Sequence, residues 1–231
     1  EPNLYLPLIV RYLNALDGTE RAPDEQGGDE SPATHTARAS TVVTDTLILY
    51  TYDYADRLIG VTTLMTVTDG SATHLLSETV DYRYDAVGRR TSSSGLRYLY
   101  AGGLVIEERD FSDAVVATYA FGLSVDRAGQ RWTYHSDAAG STRALADGTG
   151  KVTESVNYDP FGIPVFDSGA KESAFDNPYL FRGSRYDADV ELYVHGGRRY
   201  DPTTGRYLQH GGDILGNPYT YAGNNPILPW R

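Results

Sequence analysis

"RRYDPTTGRYLQ", Arg198 to Gln209, is the stretch on which the reading of this chain turns. Tyr200-Asp201, three further residues and then Gly205-Arg206-Tyr207 spell a strand, a turn and a returning strand. The same wording stands upstream as "YTYDYADRL" (Tyr50–Leu58) and "YRYDAVGRR" (Tyr82–Arg90). In the second of these, Tyr82 and Tyr84 lie two residues apart, so in an extended strand their rings share one face. Asp85 is placed to accept backbone N–H groups two or three residues on, which starts a turn. Gly88 supplies the positive φ that closes a short hairpin loop. Arg89 then opens the return strand within reach of a charge-assisted contact with Asp85. One phrase encodes one hairpin.

Working outward, the expected structural-turn residues are Asp53, Asp85, Gly88, Arg89, Asp137, Gly140, Asp159, Gly162, Asp187, Asp201, Gly205 and Arg206. Their intervals are irregular, which describes a degenerate repeat and not a fixed-period solenoid. From Leu47 onward the chain consists of short runs rich in Val, Thr, Tyr and Leu, such as "TLILYTY" and "AVVATYAFG", separated by Gly, Asp or Ser. These runs read as strands and their separators as turns. The nearest approach to a helical period, "GLRYLYAGGLVIEE", is broken by its paired glycines. The expected fold is all-β, an antiparallel ribbon of hairpins with at most one short helix. Tyrosines stacked across strands would stabilise it by about 0.2–1 kcal/mol per pair.

Composition supports this and narrows the partners. Of 231 residues, 19 are Tyr, 24 Gly, 6 Phe and 2 Trp. Tyrosine pairs an apolar ring with a polar tip and suits a half-wet sheet. The net charge of -11 argues against a nucleic-acid backbone as partner, and against insertion at an anionic membrane surface. Cysteine is absent, which removes disulfides, thiolate metal sites and cysteine nucleophiles.

Four regions are expected. Residues 1–16 hold "LYLPLIVRYL" (Leu4–Leu13), too short to span a bilayer and interrupted by Pro7 and Arg11. It reads as a strand whose alternate residues Leu4, Leu6, Leu8, Val10 and Tyr12 could complete a sheet edge, in its own chain or in a neighbouring copy. Residues 17–46 begin with six acidic and one basic residue and continue rich in Ser, Thr and Ala, which suits a solvated linker. Residues 47–131 carry the degenerate ribbon and residues 132–231 its most regular phrases. A chain that starts at Glu1 is expected to be a processed piece of a longer product.

Those phrases, among them "YHSDAAGSTRALADGTGKV", "YDPFGIPV", "NPYLFRGSRYDADVELYVHGGRRYDPTTGRYL" and "NPYTYAGNNP", resemble the RHS/YD-repeat proteins. The segment Trp132–Pro226 resembles their RHS-repeat-associated core region, in the family's motif order. The resemblance implies a β-ribbon spiralling into a curved, shell-like wall, and a role in enclosing a C-terminal toxin or effector. In relatives that release such a cargo, an Asp-Pro-x-Gly segment follows the Asn-Asn-Pro phrase and self-cleaves. Here "NNPILPWR" follows, so the fold is expected to carry over more firmly than release. "DPFG" (Asp159–Gly162) matches the cleavage phrase literally but sits inside a repeat, and reads as a turn with Pro160 setting φ.

No catalytic residue, metal site or cofactor is expected. The five histidines are scattered, and "HSD" (His135–Asp137) and "HGGD" (His210–Asp213) read as turn residues. Asp187, Asp189 and Glu191 lack the glycine of a calcium loop. The expected role is non-enzymatic and architectural, at a secreted or cell-surface location, in a wall that associates with copies of itself. The alternatives are a shell fragment around an effector, and a carbohydrate-binding adhesin that uses exposed Tyr and Trp faces, with Trp132 its foremost residue.

Overall fold

A computed structural model describes residues 10–14, 41–69, 72–195, 197–211 and 216–226. Among the described residues there is no α-helix, and no helix long and apolar enough to cross a membrane. Among the described residues there are eighteen strands and three single 3-10 turns. The residues divide into two units, one within Tyr52–Gly60 and Val80–Arg231, the other within Pro7–Thr51 and Val61–Thr79.

Strands β1 (Val10–Asn14), β2 (Thr41–Tyr52), β3 (Leu58–Asp69) and β4 (Ala72–Asp81) pair in that order and lie for most of their length in the second unit. β1 is antiparallel to β2, with Val10 opposite Leu49 and Tyr12 opposite Leu47. Leu4, Leu6 and Leu8 of the expected edge strand lie outside the described residues. The expected linker of residues 17–46 is corrected at its end, because β2 already begins at Thr41. Val42, Val43, Thr44 and Thr46 are β-branched and lead into the apolar run of Leu47–Leu49, so strand propensity prevails there over the Ser/Thr-rich context.

The first unit holds the ribbon. β5 (Arg83–Tyr84), β6 (Arg90–Ser93), β7 (Leu96–Ala101), β8 (Leu104–Arg109), β9 (Val115–Ala120), β10 (Ser124–Arg127), β11 (Gln130–Ser136), β12 (Thr142–Ala146), β13 (Val152–Tyr158) and β14 (Pro164–Phe166) each pair with their neighbours in sequence. Every pairing is antiparallel, because each strand is joined to the next by a hairpin too short for a crossover. One face carries Tyr98, Val105, Ala117, Tyr119, Val125, Trp132, Tyr134 and Leu145 in a single apolar cluster, covered by Phe175 and Tyr179 of the segment that follows β14. Trp132 is buried against Phe175 with ring centroids 5.0 Å apart, so the expectation that it offers an exposed ring to a glycan is corrected.

β15 (Arg185–Asp187), β16 (Leu192–His195), β17 (Arg198–Asp201) and β18 (Arg206–Tyr207) form a small sheet in the same unit. Tyr186, Tyr193, Tyr200 and Tyr207, each seven residues after the last, stand directly opposite one another across its four strands. Tyr221 stacks on Tyr200 at 4.2 Å and completes an aromatic core with Phe166 and Phe181. Successive strand residues point to opposite faces. The other face therefore carries a row of Arg185, Val194 and Arg199. Arg199 and Tyr200 are both about fully buried, so β17 is covered on both sides.

Candidate functional site

Six loops share one geometry. At Asp85, the backbone N–H donates to Arg89 O at 2.9 Å and the carbonyl accepts from Gly88 N at 3.1 Å. Its Oδ1 accepts from Val87 N at 3.0 Å and from Arg89 N at 2.9 Å. The same four bonds recur at Asp53, Asp110, Asp137, Asp147 and Asp159. The fourth residue has positive φ in every case: Asp56, Gly88, Asp113, Gly140, Gly150 and Gly162. This is a three-residue hairpin loop ending in a left-handed residue, with the aspartate saturating the N–H groups that the turn leaves over. Arg57 and Arg89 add ion pairs to Asp53 and Asp85 at 2.6 and 2.7 Å.

The sequence reading missed Asp110 and Asp147, whose phrases "DFSDA" and "DGTGK" lack the preceding tyrosine. Serine and threonine stand third in these two, and their hydroxyls add a bond of 2.6 Å to the carboxylate. Asp201 closes a longer loop: Thr203 N donates to its Oδ1 at 2.9 Å, and Gly205, one position later than in the six, has φ +64°. Arg206 is exposed and pairs with Asp201 through the backbone ladder.

Asp187 requires correction as a turn residue. Its side chain makes no capping bond to the 3-10 turn at Ala188–Val190, where Glu191 takes the left-handed conformation. Its carboxylate instead faces a buried cluster of arginines. Both guanidinium prongs of Arg90 in β6 engage it, Nη2 to Oδ1 at 2.8 Å. Arg185 of β15 forms an ion pair with Glu108 Oε1 at 2.7 Å, and Arg127 donates a hydrogen bond to Glu108 Oε2 at 2.9 Å. Glu108 is wholly buried. Tyrosine rings fill the spaces between cations: Arg90 lies over Tyr82 and Tyr98, Arg185 over Tyr98, and Arg199 over Tyr82, at 4.5–5.2 Å from the centroids. Arg199 Nη2 donates to Tyr84 Oη at 2.9 Å, and that hydroxyl donates onward to Leu58 O at 2.6 Å.

The electrostatics follow from burial set against partners. Burial pushes the Asp187 carboxyl up, and the charge and hydrogen bonds of Arg90 more than reverse this, so the group is held below the ordinary carboxylate range. Burial acts against the charge of Arg90 as well, and Asp187 overcomes it. Arg199 is the exception. Its burial and the neighbouring charge of Arg90 lower its pKa, and the more distant Asp187 does not restore it. The tyrosines of the cluster stay neutral, since burial raises Tyr82, Tyr84, Tyr100 and Tyr119.

Beside the cluster lies a cavity of about 480 Å3, with Arg90, Arg185 and Arg199 in its lining and Arg89 also contributing. Among the described residues no group of three or more His, Asp or Glu could hold a metal ion. Asp187, Asp189 and Glu191 part company: Asp189 accepts from Ser94 Oγ at 2.7 Å while Asp187 binds Arg90. His135 is exposed, and His210 donates its backbone N–H to Asp56 Oδ2 at 3.3 Å, so neither joins a catalytic constellation. The cluster can hold charge and fix geometry, and in the cavity lining Ser184 Oγ lies 3.0 Å from His195 Nδ1.

Known proteins share this architecture. The sequence profile of the teneurin YD-shell family matches residues 67–227. The tRNA3(Ser)-specific nuclease WapA of Bacillus spizizenii is 30% identical over 165 residues, which cover 64% of this chain and 7% of that protein. The tRNA(Glu)-specific nuclease WapA of Bacillus subtilis subsp. natto matches with the same identity and coverage. The crystal structure of TcdB2-TccC3-Cdc42 superposes with a TM-score of 0.56 at 21% identity, over 78% of this chain and 10% of that one. The chain therefore spans a tenth or less of the length of these relatives. The RHS/YD reading of the repeated phrase holds: with the profile running through β5 to β18 and the same antiparallel fold in the solved neighbours, the chain belongs to the teneurin YD-shell family.

Proposed function

We propose that this segment builds part of the wall of an RHS/YD shell whose interior holds a C-terminal effector of the same gene product. The observation that carries the reading is the ribbon: ten strands pair strictly in sequence order, in the family whose name is the YD shell. The likeness to WapA proteins, named as tRNA nucleases, supports an effector, and the matching part is 7% of their length. Any such activity is assigned to another part of the product, and the ribbon itself to a non-enzymatic, architectural role at a secreted or cell-surface location. The alternative of donating residues Leu4–Leu13 to a neighbouring copy has less support, because Val10–Asn14 pairs with β2 of its own chain. The adhesin alternative loses Trp132, which is buried.

Electron microscopy of the full gene product containing this segment tests the reading. Hollow particles are expected, with a C-terminal part that resists protease while the particle is intact. Filaments, open sheets, or a C-terminal part cut as fast as in denatured protein would overturn it.

A further inference from the structure

We propose that the cavity beside Arg199 is a binding site for one small oxyanion group, a carboxylate, phosphate or sulfate. The first ground is charge. Two buried guanidinium groups, Arg90 and Arg199, and two partly buried ones, Arg127 and Arg185, have as counter-charges the buried Glu108, the partly buried Asp187 and, for Arg127 alone, the exposed Asp176 at 3.8 Å. Arg90 claims both oxygens of Asp187, and Arg127 and Arg185 divide Glu108. No carboxylate lies within ion-pair distance of Arg199 among the described residues. A buried cation without a counter-charge is costly, and proteins pair such groups or hydrate them.

The second ground is unused donors. Arg199 is 1% exposed, and its guanidinium makes one side-chain hydrogen bond, to Tyr84 Oη. Its Nε, and Nη1 of Arg185, have no hydrogen-bond partner. A guanidinium presents five N–H donors in a fixed fork that matches the oxygens of carboxylate and phosphate.

The third ground is room. The cavity that these side chains line measures about 480 Å3, within the roughly 300–1,000 Å3 of small-ligand sites. Its remaining lining is mostly aromatic and aliphatic, including Tyr98, Tyr100 and Phe121, with little competing acceptor chemistry. An anion there would supply the counter-charge that Arg199 lacks. The inference concerns the cluster alone and does not depend on what the shell encloses.

The test uses the full chain and inorganic phosphate, sulfate and acetate as probes, with chloride at matched ionic strength as control. A ligand that binds only the folded state raises the unfolding midpoint with its concentration. At least one of the three probes is expected to raise the thermal midpoint progressively, and calorimetric titration should give about one site per chain. Arg199→Met keeps the volume, removes the uncompensated charge, and should abolish the response. Arg199→Lys should retain part of it. A response to phosphate or sulfate assigns the site to free oxyanions; one confined to acetate assigns it to a carboxylate group. Should Arg199→Met not fold, calorimetry on the unaltered chain decides alone. No probe acting beyond chloride, or an equal response in a folded Arg199→Met chain, would overturn the proposal.

Discussion

Arg90 and Asp187, 97 residues apart in sequence, meet as a two-pronged ion pair with both side chains at most a tenth exposed. The pair joins the ten-stranded ribbon to the small sheet that carries the tyrosine ladder. Its net worth against an apolar pair is small, because two charges leave water, but breaking one half strands the other. Asp187→Asn or Arg90→Met alone should lower the free energy of unfolding by about 3–5 kcal/mol. The double variant Arg90→Met/Asp187→Leu should recover most of that loss. Urea unfolding of the three chains measures it, and single variants costing less than about 1 kcal/mol would refute the pairing's importance.

The repeated turn makes stability depend on pH. The Ser112 hydroxyl and Ala114 N–H lower the Asp110 carboxyl, and the Thr149 hydroxyl and N–H lower Asp147. At Asp53 and Asp85 burial opposes the shift, and the arginine and backbone donors outweigh it. A folded pKa below the unfolded value of about 3.9 gives stabilisation that is present above that value and lost as pH falls through the folded one. Burial raises Glu154, which has the opposite sign, and lowers His195, whose contribution fades already below about pH 6.5. Comparison with Asp110→Asn/Asp147→Asn isolates the turns. The unaltered chain should lose its advantage over this variant between about pH 5 and pH 2, and a constant gap in urea midpoint across that range would contradict the account.

The positive-φ positions separate strain from space. Gly88 has φ +84° and nothing within 4 Å of an added Cβ, so Gly88→Ala meets backbone strain alone, about 1–2 kcal/mol. At Gly162 an added Cβ would also come within 2.5 Å of the Phe181 ring, and at Gly205 within 2.9 Å of Phe161. Gly162→Ala and Gly205→Val should each cost distinctly more than Gly88→Ala. Equal losses in thermal unfolding would show that the rings yield freely.

One loop lacks the residue its geometry favours. Ala128 and Gly129 join β10 to β11 in a two-residue hairpin, both with positive φ, and Ala128 is exposed. Two-residue loops of that kind prefer Asn-Gly, because a Cβ crowds the backbone in the left-handed region. Ala128→Asn should therefore stabilise by about 0.5–1 kcal/mol, read as a higher urea midpoint at unchanged slope. A lower midpoint would show that the turn gains nothing from asparagine at that position.

The sequence made the hairpins legible because each is local: Asp85, Gly88 and Arg89 complete their contacts within five residues. It concealed the arginine cluster for two physical reasons. The contacts span up to 115 residues, as from Arg199 to Tyr84, and no local phrase announces them. The two most buried arginines also stand in doublets, Arg89-Arg90 and Arg198-Arg199, whose second members point inward by strand alternation while the first are only half-buried. Reading burial for an arginine needs that phase, and the phase depends on which side of β17 is covered. Since both sides are, period-two reasoning alone assigns Arg199 to solvent. The Tyr186-Asp187 phrase likewise matches the turn in letters but not in role, since the Asp187 side chain caps nothing there.

The tyrosine ladder is coupled to a turn remote in sequence. Tyr193 Oη donates to Gly162 O and Tyr200 Oη to Phe161 O, each at 2.7 Å, so two rungs hold the loop that opens at Asp159. That loop is also closed by its own aspartate, which accepts from Phe161 N and Ile163 N. Long-range bonds thus fix two carbonyls of the loop and local bonds two of its amides. Tyr193→Phe or Tyr200→Phe removes a hydroxyl while keeping ring packing, and each should cost about 1 kcal/mol, more if the carbonyl left behind stays dry. Asp159→Ala should cost a comparable amount through its two lost acceptor bonds. If the ladder and the aspartate stabilise one loop geometry together, the Tyr193→Phe/Asp159→Ala double variant loses less than the sum of the singles, since a loop already released has no geometry for the second contact to hold. A double-mutant cycle by urea unfolding should give a coupling of at least about 0.5 kcal/mol. Strict additivity would mean that turn and ladder are independent, and the ribbon would then be held to the small sheet by the arginine cluster and ring packing without help from these two hydrogen bonds.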